Sequence, residues 1–398
     1  MEKTTKKNRN VDFAKNTIIL FIGKFATQFM SLLLLPLYTR YLITEEYGRI
    51  DLIQTYIALF VPILTLRVDS AIFRFLVDKR NNDEEKQRII TNISLIAFLG
   101  VFITLIICVS LSFFVKIKYF KYVVVNLIVL MISNVLLQLL RGIGKNFQYS
   151  IASIITGAIT LLCNLVLILN LKMGAESILI SSTLANVICI IFIVINTKYF
   201  NFIKLKKIEK NTLKETLAYS FPMIPNSLSW WIVNVSDRTI ISSSLGTAFN
   251  GIYTVSCKFS NILNSIFSIF SMSWQETATL HINDEDKDAF FSEMINNILM
   301  LFSTVALLIL VALPIFYDII IGNNYISSYE YIPILLYANT WNVLIGLIGG
   351  IYVAKKRTKE IANTTIVSAI INIIINFILI RYIGLYAACI STLLSYFI

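Results

Sequence analysis

Long apolar stretches broken only by short polar ones constrain this chain more than any other feature. Charge-free windows recur at 91–115, 122–140, 146–171, 178–197, 216–236, 294–317, 331–354 and 361–380. Shorter or charge-marked windows lie at 16–39, 52–66, 259–275 and 382–398. A membrane-spanning helix needs about 20 mostly apolar residues. These windows are apolar all round, whereas strands of a membrane β-barrel alternate polar and apolar over about ten residues. Composition agrees: 14% of the 398 residues are charged, against about 25% in a soluble domain, and the mean hydropathy is +0.76. The sequence predicts an all-α integral membrane protein of about twelve transmembrane helices. The last window stops at Ile398 and reads as a short or truncated helix.

Lysine and arginine set the expected orientation. They concentrate in the first fifteen residues and in alternate loops, including Lys79–Arg80, Lys86–Arg88, Arg141–Lys145 and Lys355–Lys359. The opposite loops carry fewer, among them Arg40, Arg49, Lys172 and Arg381. The positive-inside rule then predicts a cytoplasmic N-terminus. The tail lacks a small-residue cleavage site, so it reads as a cytoplasmic tail and not a signal peptide. Topology accounts for the net charge of +11, and nothing in the pattern calls for nucleic acid. The most basic loop, at 198–214, falls near the midpoint. The predicted organisation is a tail at 1–15, a six-helix bundle at 16–197, a basic linker at 198–214 and a second bundle at 215–398.

No catalytic chemistry is legible. Cys108, Cys163, Cys189, Cys257 and Cys389 all fall in apolar windows without CxxC spacing, which suits small core fillers. His281 is the single histidine and lies near the acidic run DEDKD at 284–288. That run sits among Asn and Lys, so it reads as a solvated loop and not a metal site.

The stretch YTRYLITEEYG (38–48) has a counterpart in SDRTIISSSLG (236–246). Arg40 and Arg238 are each followed eight residues later by glycine, Gly48 and Gly246. Leu42–Ile43 corresponds to Ile240–Ile241. Six helices return the chain to its starting side, so the match predicts a parallel repeat of two bundles.

Ionisable residues within spans are costly and mark interiors or watery cavities. Here they gather on the first two helices of each predicted half: Lys24, Arg67, Asp69 and Arg74, then Asp237, Arg238 and Lys258. The excess is positive, and guanidinium forks bind phosphate oxygens well. Lys24, Arg67, Arg74, Lys258, Arg40 and Arg238 are therefore candidate ligands of an anionic substrate, with Arg40, Arg74 and Arg238 equally suited to snorkelling or structural pairing. Asp69 and Asp237 are candidates for coupling to H+ or Na+, or for simple pairing with a neighbouring arginine. Trp230 and Trp231 could stack on sugar rings or mark the membrane interface. Pro222 and Pro225 should bend their span.

The segments LLLLPLYTRYLITEEYGRIDL and YSFPMIPNSLSWWIVNVSDRTIISSSLGTAFNGIYTVSCKFSNIL resemble polysaccharide flippases of the multidrug/oligosaccharidyl-lipid/polysaccharide exporter superfamily. The element Asp237–Arg238, Gly246, Gly251–Ile252–Tyr253 belongs to that pattern. The resemblance implies two six-helix bundles around a central lumen, working by alternating access. It implies flipping of undecaprenyl-diphosphate-linked oligosaccharide repeat units, as for O-antigen or capsule, with Lys24, Arg67 and Lys258 holding the diphosphate. It also implies a polysaccharide polymerase and a chain-length regulator as partners beside the membrane lipids. A drug or cation exporter of the same superfamily is the first alternative, and it would use buried carboxylates. A membrane polymerase or ligase is the second, and it would need larger outer loops with acid–base residues.

Overall fold

A computed structural model describes residues 22–23, 25–114, 118–355 and 357–397. It is helical throughout, with no strand among the described residues. Helix α1 covers 25–41. It is followed by α2 (Thr44–Leu64), α3 (Val68–Asp78), α4 (Asp83–Phe114), α5 (Phe120–Gly142), α6 (Asn146–Leu165, continued by a π turn), α7 (Glu176–Thr197) and α8 (Lys210–Ser220). The remainder is α9 (Met223–Ser244), α10 (Thr247–His281), α11 (Lys287–Ile320), α12 (Ile332–Ala354), α13 (Thr358–Ile383) and α14 (Tyr386–Phe397).

Among the described residues seven helices are long and apolar enough to cross a membrane, or eight if α2 and α3 form one bent span. This differs from the predicted twelve for local reasons. The first window begins outside the described residues. The 216–236 window is two helices, because Pro222 falls in the turn between α8 and α9. Helices α9 and α10 have 22 and 35 residues, but their Asn, Ser, Thr and charged side chains keep them below the hydropathy of the seven. The final helix is only 12 residues long.

The chain divides into two compact units, one of residues 1–34 and 56–228, the other of 35–55 and 229–398. The end of α1 and the first half of α2 thus group with the C-terminal helices. In the first unit, Val68, Ala71, Ile72 and Leu76 of α3 pack with Ile89, Ile90, Ile93 and Ile96 of α4 and Val135 and Leu139 of α5. The α2–α3 join bends by 53°. Leu66 and Arg67 both adopt left-handed backbone there, with φ of 50° and 57°, so the helix cannot continue through them.

In the second unit α10 packs most extensively on α12. Gly346 and Gly350 of α12 receive the rings of Phe267 and Trp274, which leave no room for a Cβ. The Trp274 indole donates to the Leu347 carbonyl at 2.7 Å, so this buried N–H is satisfied. Exposed positions on α4 and α11, such as Phe98, Phe102, Leu307 and Val311, are apolar, as faces turned to lipid must be.

Candidate functional site: a buried charge network in the second unit

The site is built where the start of α2 meets α9 and α10. Thr44 and Gly48 lie one turn apart on α2, and Thr247 and Gly251 one turn apart on α10. A Cβ on Gly48 would overlap the Thr247 carbonyl oxygen, and a Cβ on Gly251 would overlap that of Thr44. The contact is reciprocal, so the two helix starts are related by a local two-fold axis. Small residues at this spacing are what let membrane helices approach backbone to backbone.

This crossing places three polar groups together. Asp51 lies three residues beyond Gly48 on the same face of α2. Its carboxylate accepts from Arg238 Nε of α9 at 2.7 Å, with both side chains only 15% exposed. Asn250, one residue before Gly251, donates to the Gly48 carbonyl at 2.8 Å and approaches Asp51 at 3.4 Å. Asn250, Thr254 and Lys258 are spaced by four along one stripe of α10, and the Lys258 ammonium is within electrostatic reach of both Asp51 and Arg238. The Trp231 indole, two turns before Arg238 on α9, donates to the Thr55 carbonyl of α2 at 2.9 Å.

Asp237, the neighbour of Arg238 in sequence, faces a different set. Its carboxylate accepts from Tyr253 Oη of α10 at 3.0 Å, Asn376 Nδ2 of α13 at 2.8 Å and Thr392 Oγ1 of α14 at 2.9 Å. It is 5% exposed. Four helices therefore converge on one carboxylate. On the same helices, the amide oxygens of Asn372 and Asn376 and the Ser236 hydroxyl are buried without a hydrogen-bond partner. Buried polar atoms left without partners are rare and call for an explanation.

The sequence-predicted residues thus separate. Arg238, Asp237, Lys258 and Trp231 meet in this region. Asp237 does not take Arg238 as its hydrogen-bond partner: Arg238 turns to Asp51, because consecutive residues of a helix point about 100° apart. Asp51 is not among the sequence candidates, because α2 begins at Thr44, earlier than the 52–66 window. Glu45, Glu46, Arg49 and Asp51 read as loop, yet acidic residues favour a helix N-terminus. Gly48 does not correspond to Gly246 either. Gly246 stands in the turn before α10 with φ of 103°, and the helical counterpart of Gly48 is Gly251.

Arg40 ends α1 and donates to the Ile319 carbonyl in the last turn of α11, where a cation complements the helix dipole. Thr39 Oγ1 accepts from Gly322 N at 3.1 Å, and Tyr325 Oη donates to the Leu42 carbonyl at 3.1 Å. Arg40 is a fastener of this corner. In the first unit, Arg67 caps the break before α3 and is paired locally with Ser70 at 2.6 Å and Asp69 at 3.6 Å. Arg74 pairs with Asp78 at 2.6 Å, both half exposed. Arg67 and Arg74 do not share a continuous helix face, since Arg67 precedes α3 with left-handed backbone. Lys24 lies outside the described residues. Trp230 is on α9, and its side chain is likewise outside them. No grouping of three metal-ligating side chains occurs among the described residues. The five cysteines are free thiols.

A multi-pass helical membrane protein with charges buried on a close crossing of helices has the build of a transporter. The polysaccharide biosynthesis protein family matches residues 13–274, and the chain belongs to that family. Its fold is similar to the outward-facing and inward-facing conformations of a multidrug resistance MATE family transporter of the MOP superfamily. The TM-scores are 0.67 and 0.70, at 14% and 13% identity. Those matches cover 96% of this chain and 91% and 90% of the transporter chains. A MATE transporter in complex with MaD3S is similar with a TM-score of 0.63 at 15% identity, over 96% and 93% of the two chains. No curated protein matches.

Proposed function

We propose that the protein flips lipid-linked oligosaccharide repeat units across the bacterial cytoplasmic membrane by alternating access, for surface polysaccharide export. Lys258 carries this reading. It is a part-buried basic side chain on α10, on the stripe that also holds Asn250 and Thr254, in a member of the polysaccharide biosynthesis family. An ammonium there suits the diphosphate of an undecaprenyl-diphosphate headgroup, while the lipid tail stays in the bilayer. Lys24 and Arg67 are proposed to assist it. Arg238 holds Asp51 and so sets the field at Lys258, and Arg40 acts through the helix corner it caps. A polymerase and a chain-length regulator are the proposed partners, and the N-terminus is proposed to be cytoplasmic.

A coupling ion belongs to the proposal. The buried Asp237 carboxylate, with the Tyr253 and Thr392 hydroxyls against it, offers oxygen donors of the kind a hard cation such as Na+ takes. H+ is the other candidate. Asp69 pairs with Arg67 and is the weaker seat.

A second reading, export of a cationic compound, is favoured by the likeness to multidrug transporters and by the two buried carboxylates. Against it, Asp51 is already paired with Arg238, and donors from α10, α13 and α14 close around Asp237, which leaves a seat for a small ion and not for an organic cation. Complementation separates the two. Expression in a flippase-deficient strain with a matching glycan should restore surface polysaccharide, and Lys258→Ala at equal protein level should abolish the rescue. Drug resistance in a pump-deficient strain, with no glycan rescue, would sink the flippase reading.

A further inference from the structure

The 198–210 segment is too firmly built to be a loose tether. Lys198 turns the chain out of α7 with φ of 51°. From there the backbone is pinned to the start of α4. Buried Thr91 accepts from Lys204 N at 3.0 Å and donates to the Phe202 carbonyl at 3.1 Å. Buried Asn92 donates to the Lys207 carbonyl and accepts from Glu209 N, both at 2.9 Å. Tyr199 Oη meets Ser94 Oγ at 2.5 Å. Tyr199, Phe202 and Ile203 lie against the α3–α4–α5 core.

Fixing one face fixes the other. Phe200 and Leu205 are turned out, 73% and 75% exposed. Lys204, Lys206 and Lys210 are exposed around them. Two large apolar side chains held in solvent next to three ammonium groups are unfavourable in water. They match a boundary where acyl chains lie below and phosphates above. The ledge begins two residues after a membrane helix ends, which puts it at that boundary.

We propose that residues 199–210 form a binding ledge for anionic phospholipid. Phe200 and Leu205 enter the acyl boundary, and Lys204, Lys206 and Lys210 hold headgroup phosphates of the adjoining leaflet. The backbone is ordered before the lipid arrives, so little ordering entropy opposes binding. Lysines at an anionic surface each strengthen binding roughly fivefold.

The test uses the full-length protein in nanodiscs, with Phe200→Trp as a reporter and brominated lipids as quenchers. Brominated phosphatidylglycerol diluted in phosphatidylcholine should quench the added indole more than brominated phosphatidylcholine at equal fraction. The triple change Lys204→Gln, Lys206→Gln, Lys210→Gln, at surface positions that leave the Thr91 and Asn92 bonds intact, should erase that preference but keep the quenching. Equal quenching by both lipids in the parent would overturn the anionic preference. No quenching at all would overturn membrane insertion. Loss of the preference on adding inorganic phosphate would assign the lysines to a free anion and overturn the lipid assignment.

Discussion

Gly48 of α2 and Gly251 of α10 touch backbone to backbone, each closing over the carbonyl at the start of the other's helix. That contact sets the separation at which Asp51 meets Arg238, and through it the surroundings of Lys258. The polar network is a consequence of two missing methyl groups.

Adding one methyl there should therefore be costly. Gly251→Ala forces the helix starts apart, at about 1–3 kcal/mol for overpacking, and should lower the thermal midpoint of the purified protein. Gly349→Ala is the control. A Cβ there meets nothing within 4 Å, and a helical Gly to Ala change is neutral or stabilising by up to about 1 kcal/mol. Equal midpoints for the two variants would show that the crossing is loose.

The Asp51–Arg238 pair should behave as one unit. Removing one partner of a buried pair leaves an uncompensated charge, at about 3–5 kcal/mol. Asp51→Asn and Arg238→Gln should each lower stability strongly, and the double variant should cost less than the sum of the two. Additivity in that cycle, read by thermal unfolding in detergent, would mean that the pair is not formed.

Asp237→Asn keeps the shape of the side chain and removes its charge. If Asp237 seats the coupling ion, the wild type should gain thermal stability with rising Na+ or show Na+-dependent transport, and the variant should show neither. With H+ as the ion, the dependence moves to pH. A variant that keeps the full ion dependence places the ion elsewhere.

Among the cations, Lys258→Gln should abolish glycan rescue with expression unchanged. Arg74→Gln should be nearly silent, because the Arg74–Asp78 pair is exposed and ion pairs in solvent contribute little. Surface glycan staining at matched protein levels decides this. A large loss for Arg74→Gln would return that residue to the substrate ligands.

Much of this architecture is legible in the order of residues. The apolar windows specify helices because a backbone in lipid must satisfy its own hydrogen bonds. Lys258, Asp237 and Arg238 stand out because charge inside such helices is costly. Asp51 does not, since the charged first two turns of α2 are indistinguishable from a loop when spans are sought as charge-free runs. The glycine match is misaligned by the turn before α10: Gly246 serves the turn and Gly251 serves the packing, which the same letter in sequence cannot distinguish.

The sequence by itself determined an all-helical membrane protein, the residues expensive enough to matter and the resemblance that pointed to the family. Tertiary structure alone decided the partners. Arg238 takes Asp51, 187 positions away, and not the adjacent Asp237. Asp237 gathers donors from three other helices, and the basic linker lies pinned on α4. Adjacency along a helix turns side chains apart, whereas packing brings distant ones within bonding distance, and hydrogen bonds form only at that distance.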